Sequence, residues 1–153
     1  MDSRDSRFKV SDFRFKALCL VIAAVWTIVS VSCQSKSDVL FMQYYVQGEQ
    51  LYVRHCSNCH QKNGTGLGLL YPPVDKSDYM KANVNEVICL MKQGKKGELI
   101  VNGKQFDQPM PGVPTLTELE IAEIATYIYN AWEVKRGLVD VKEVSTALSS
   151  CKE

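Results

Sequence analysis

Histidine is almost missing from this chain of 153 residues: only His55 and His60 are present. Chemistry that needs imidazole is therefore confined to one short stretch. An excess of one charge is missing too. Eighteen basic side chains face 17 acidic ones, for a formal net charge of +1. So weak a field excludes the broad electrostatic footprint of a nucleic-acid binder. A full-length membrane span is lacking as well. The apolar run Ala17 to Ser32 (ALCLVIAAVWTIVSVS) has 16 residues, short of the roughly 20 that cross a bilayer. There are no internal repeats and no low-complexity tract. No second acid–base constellation stands outside the histidine stretch, which argues against an enzyme acting alone.

What the N-terminus does have is a basic start, with Arg4, Arg7, Lys9, Arg14 and Lys16 ahead of the apolar run. Small residues close the run before Cys33. This is the layout of a secretory signal. Ser30-Val31-Ser32-Cys33 is similar to a bacterial lipobox, with Ser30 where Leu is usual and Cys33 as the lipidated first residue after cleavage. An uncleaved anchor and an ordinary cleaved signal are the alternatives. All three place the remainder outside the cytoplasm, on the periplasmic side of a bacterial membrane. The expected organisation is a signal peptide at 1–32, a lipid-anchored tether at 33–45, a folded domain at 46–133 and a C-terminal tail at 134–153.

Helical periodicity runs from about Leu40 to Cys56, with Leu40, Tyr44, Leu51 and His55 near one stripe. Gly48 interrupts it at a cost of up to ~1 kcal/mol against Ala, tolerable where another helix approaches closely. Gly64, Gly66, Gly68, Pro72 and Pro73 then forbid long regular structure. A short helix is expected at 77–82. Another at 85–92 should face Val87, Ile88 and Met91 inward and stop at Gly94. Asn102-Gly103 favours a type I′ turn and a small β-hairpin. Three prolines in residues 108–114 predict an irregular loop. Thr117 with Glu120 forms a capping box that opens a strong helix to about Trp132. Asp140 is placed to cap one last helix. Helices joined by loops this long, in so small a chain, point to something else at the centre.

That centre is RHCSNCHQ at 54–61. Zinc usually takes four ligands, and Cys56, Cys59 and one His supply three. A thioredoxin-type dithiol needs a βαβ frame, which this helical stretch lacks. Cys-x-x-Cys-His is the signature of c-type haem attachment. One helical turn places both sulfurs on the same side, where they can form thioethers to the two vinyl groups of one porphyrin. His60 then follows as the proximal ligand. Only reduced thiols react so, by machinery outside the cytoplasm, in keeping with the signal sequence.

For the second axial position, His55 is too close in sequence to reach the opposite face. Methionine is the next candidate. Met42 reads as a helix-core residue, and Met80 and Met91 lie in or near helices. Met110 lies between Pro109 and Pro111, fifty residues beyond His60. The prolines stiffen its loop and lower the entropy lost in fixing the sulfur. The expected metal ligands are thus His60 and Met110.

Together these residues resemble the class I c-type cytochromes, and more narrowly the monohaem domains found with copper nitrite reductases, quinoprotein dehydrogenases and haem–copper oxidases. The resemblance runs from about Val46 to Trp132 and includes G-E-Q-L-Y (48–52), C-S-N-C-H, Y-P-P-V, G-K-K-G-E-L-I-V-N-G (94–103) and P-M-P. It implies an all-α cytochrome c fold: three to five helices with long loops around one covalent haem c, the first and last helices crossing. Gly48 and Tyr52 would pack against Ile124 and Tyr127. A carbonyl of Pro72 or Pro73 would accept the His60 Nδ1 proton.

The implied function is a monomeric electron carrier with a redox partner protein. Other readings are a fixed electron-entry subunit of an oxidase, reductase or dehydrogenase, or a haem enzyme or gas sensor if the sixth site is open. Residues 60–107 hold seven basic and five acidic side chains, and 108–153 hold four and seven, so steering of the partner should be mild. Cys89 and Cys151 are not needed for haem. They are left either as a bridge between the tail and the 85–92 helix, or as one buried and one loose thiol.

Overall fold

The computed structural model describes residues 16–22 and 35–151. The expected cleavage point and Cys33 lie outside the described residues. Residues 16–22 are helical (α1) and fall in a unit, Met1–Lys36, separate from Ser37–Glu153. No helix among the described residues is long and apolar enough to cross a membrane.

From Lys36 onward the helices are α2 (Lys36–His55), α3 (Ser57–His60), α4 (Asp78–Ala82), α5 (Val84–Gln93), α6 (Glu118–Ile128) and α7 (Val141–Ser149). Two of these have only four and five residues. Two small antiparallel ribbons pair β1 (Gly94–Lys95) with β4 (Met110–Pro111), and β2 (Leu99–Val101) with β3 (Lys104–Phe106). The turn between β2 and β3 puts Asn102 at φ 51° and Gly103 at φ 70°, as a type I′ hairpin requires.

Several details differ from the sequence expectation. Helix α2 begins at Lys36, inside the stretch expected to be tether, with Asp38 in its first turn, where an acid suits the helix dipole. Its buried face is centred on Gly48, Leu51 and Tyr52, not on Leu40 and His55, which are exposed. Met42 is no core residue; it too is exposed. The proline-rich stretch is not wholly irregular, because Met110 pairs with Lys95 and Pro111 with Gly94. A ribbon this short tolerates a proline on its edge.

Helix α6 stops at Ile128 rather than Trp132. The Asn130 side chain turns the chain away. Its amide donates to the Thr126 and Gly137 carbonyls at 2.7 and 2.8 Å, and its oxygen accepts from Gly137 N–H at 2.8 Å. The expected capping box is formed by Thr117 and Glu120.

The core lies where α2, α5, α6 and α7 meet. Ile88, Ile121, Ala122, Ala125, Val139 and Val144 are completely buried. Gly48 lets α2 and α6 touch. A Cβ there would overlap the Glu123 carbonyl oxygen and come within 2.9 Å of Tyr127 Cβ. Tyr52 and Tyr127 then stack with ring centroids 5.4 Å apart.

Residues 134–151 are no loose appendage. Thr126 Oγ1 donates to the Val139 carbonyl at 3.2 Å and accepts from Val139 N–H at 3.0 Å. A Cys89–Cys151 disulfide, Cα atoms 5.7 Å apart, closes a loop spanning 62 positions. Replacing both cysteines by serine is expected to lower unfolding free energy by about 2–4 kcal/mol, since closing so long a loop restricts the unfolded chain. Denaturant titration of the double variant checks this; an unchanged midpoint would mean that α7 is held by packing alone.

Candidate functional site

The Cys-x-x-Cys-His cluster begins where α2 ends. Cys56 carries the chain from α2 into the single turn of α3, and the His60 N–H bonds the Cys56 carbonyl at 3.0 Å. That turn puts Cys56 and Cys59 one above the other. Gln61, at φ 63°, reverses the chain at once. The Tyr52 hydroxyl holds the reversal by donating to the Gln61 carbonyl at 2.7 Å.

The loop then folds back so that the Pro72 carbonyl lies 2.9 Å from His60 Nδ1. Of the two prolines offered by the sequence, Pro72 makes this contact. A carbonyl oxygen can only accept, so Nδ1 carries the proton and Nε2 keeps the lone pair. Burial lowers the His60 pKa, and the bond to Pro72 offsets this in part. The ring is therefore neutral at neutral pH and has a free nitrogen donor.

Gly66 makes the contact sterically feasible. At φ +68° a Cβ would stand 2.7 Å from both the carbon and the oxygen of the Pro72 carbonyl. Gly66→Ala is expected to push that carbonyl off His60 and to cost about 1–3 kcal/mol through the left-handed backbone and the overlap. A lower thermal midpoint, together with a shifted redox midpoint, would show both effects.

Cys56, His60, Pro72, Pro73 and Met110 line one cleft. The cleft is narrow, with a cavity volume of about 80 Å³. Its other walls are almost wholly apolar: Val74, Val87, Leu90, Met91, Val101 and Ile124 among them. Met80 faces the same cleft, and its carbonyl accepts a 2.9 Å bond from Tyr129 Oη. Met42 and His55 do not line it. Met91 is a cleft wall and a core residue at once.

Sequence reasoning missed the roof. Leu99 and Val101 of the hairpin line the cleft, and the turn is tied down by a reciprocal pair of bonds. Asp78 N–H donates to Asn102 Oδ1 at 3.0 Å, and Asn102 N–H to Asp78 Oδ1 at 2.7 Å. Asp78 and Asn102 are 24 positions apart, so no local pattern announces the pairing. It missed Trp132 as well, whose ring meets Tyr52 and Tyr127 edge-on at 5.7 and 5.8 Å.

The donor chemistry distinguishes among the groups that such a cluster could serve. Burial first, and Cys59 second, push the Cys56 thiol up to about 12. Among the described residues no group of three or more His, Cys, Asp or Glu side chains is placed to hold a metal ion. Cys56 and Cys59 are free thiols, although Cys89 and Cys151 are paired. Of the two motif cysteines, Cys56 lines the cleft and Cys59, three positions on, does not. A lining thiol with a second one turn away, a neutral imidazole, thioether sulfurs and apolar walls fit a haem.

Comparison with known proteins agrees with this geometry. Residues 45–132 match the pattern of the family described as cytochrome c. Two proteins called cytochrome c-552, from Thermus thermophilus and from a named strain of that species, are each 28% identical over 89 residues. The match covers 56% of this chain and 67% and 60% of theirs. With a Cys-x-x-Cys-His turn opening onto an apolar cleft and more than half of its length matched, the chain belongs to the cytochrome c family.

Proposed function

We propose that the chain carries one haem c, attached through Cys56 and Cys59 with His60 and Met110 as axial ligands, and passes single electrons to and from a redox partner at the outer face of a bacterial membrane. The observation that carries this reading is the presence of His60 and Met110 in one apolar cleft, with His60 locked by Pro72 as a neutral nitrogen donor. Haem, when bound, supplies a one-electron couple between ferric and ferrous iron.

The protein's part is to hold the ligands still and to set the potential. The Pro72 carbonyl fixes the imidazole plane and its tautomer. Pairing of Met110 with Lys95 holds its backbone. A thioether ligand favours the reduced state. Apolar walls do the same, because they disfavour the additional charge of the oxidised one. Were His60 and Met110 both to hold the iron, no position would be left for a substrate, as suits a carrier better than an enzyme or sensor. The basic N-terminus, apolar run and Cys33 support export and membrane attachment.

Potentiometric titration of the purified holoprotein is expected to give a single one-electron wave, and the reduced protein should not bind carbon monoxide. Ready binding of carbon monoxide would favour the sensor or enzyme reading. Stoichiometric recovery with a larger oxidase or reductase would favour a fixed subunit.

A further inference from the structure

Helix α2 has two apolar stripes, and only one of them is used. The first, through Gly48, Leu51 and Tyr52, packs on α6. The second is bare: Val39, Met42, Val46 and Val53 are 45%, 49%, 45% and 39% exposed. At the α-helical pitch these four fall within about 60° of arc and extend roughly 21 Å along the axis. Beside them on the solvent side lie Gln43, Gln47, Gln50 and Arg54, all exposed. The apolar strip on the outward half of the helix is thus bounded by these polar residues on one side and by exposed Glu49 on the other. Isolated exposed apolar side chains are ordinary, but an aligned row of four is not scattered.

The covalent chain indicates what covers the row. The apolar run ends at Ser32, and α2 starts at Lys36. Residues 33–35 can span at most about 10 Å even when fully extended. Whether the run stays as an anchor or Cys33 carries lipid, the start of the helix is held within that distance of the bilayer surface. One flank is glutamine-rich; the other carries exposed Glu49, three positions from Val46 and four from Val53, whose carboxylate has to stay among the headgroups.

We propose that the Val39–Met42–Val46–Val53 strip of α2 lies in the lipid interface, so that the helix rests along the membrane plane as an interfacial amphipathic helix does. This rests on the reading of the chain as membrane-attached. The strip runs straight into Cys56. Docking it therefore sets the orientation of the haem cleft toward the membrane, where a flexible tether would let the cleft swing.

The test uses the full chain matured with haem in a bacterial host and placed in phosphatidylethanolamine–phosphatidylglycerol vesicles. A diazirine-bearing side chain replaces Met42 or Val46 in two variants, and Gln43 or Gln47 in two controls. Unchanged holoprotein absorbance verifies the fold of each. After illumination, acyl-chain adducts at positions 42 and 46 are expected to exceed those at 43 and 47 by at least about fivefold. Equal yields would overturn the proposal, as would adducts formed mainly with a second copy of the chain. If the unlabelled holoprotein fails to float with the vesicles, both membrane attachment and the docking fail. If it floats and the adduct yields are equal, only the docking fails.

Discussion

Replacing Met110 by alanine should leave the haem covalently attached yet lower the midpoint potential by roughly 0.2–0.3 V, within the range that axial ligands command. The thioether sulfur is a soft donor that favours the reduced iron. Alanine removes it and admits water to one face of an otherwise apolar cleft. Both changes favour the oxidised state. The reduced variant should also bind carbon monoxide, which the parent should not.

The fold should survive this substitution. Met110 is held by main-chain pairing with Lys95, and its neighbour Gly112 is wedged against Gln93 and Gly94, so the loop does not depend on the methionine side chain. Met80→Ala is the natural control, since Met80 faces the same cleft. It should move the potential far less. If the two variants exchange behaviour, Met80 is the ligand and the proline-flanked loop is a wall.

Gly48→Val should nearly abolish mature holoprotein. On helix propensity alone the change would be mildly favourable, because glycine costs up to ~1 kcal/mol in a helix interior. Packing decides otherwise. The first atom of any side chain at 48 meets the Glu123 carbonyl, a main-chain group of α6 that cannot rotate away. Relief requires the two helices to separate, which breaks the Tyr52–Tyr127 contact and opens the side of the cleft that Tyr52 walls. Overpacking of this kind costs about 3 kcal/mol, a large share of the 5–15 kcal/mol that holds a domain together. Gly48→Ala should show the same effect at smaller size. Holoprotein yield and denaturant midpoints measure it, and a midpoint above the parent's would show that propensity outweighs the crossing.

Much of this was legible before any coordinates, because the signals are local. The Thr117–Glu120 box, the Asn102-Gly103 turn and the stop at Gly94 each depend on a few adjacent residues with strong backbone preferences. Cys56, Cys59 and His60 are equally local. What stayed hidden depends on distant partners. Which of Pro72 and Pro73 meets His60 is decided by where Gly66 lets the chain double back. The bonds of Asp78 to Asn102 join two loops 24 positions apart, and nothing in either loop names the other.

Periodicity also misled where one helix has two apolar stripes. On α2, Met42 and Leu40 look like core by spacing, yet the face that closes on α6 is the one with the glycine. The early end of α6 had a similar cause. Ala131 and Trp132 continue its apolar pattern, but Asn130 finds better partners in Thr126 and Gly137.

The most direct test is a mass measurement on the Arg54–Gln61 region of protein matured in a host that attaches haem. The peptide should be heavier by one haem, with Cys56 and Cys59 resistant to alkylation before and after reduction, whereas Cys89 and Cys151 become alkylatable only after reduction. A colourless product whose Cys56 and Cys59 both alkylate freely would contradict the account at its root.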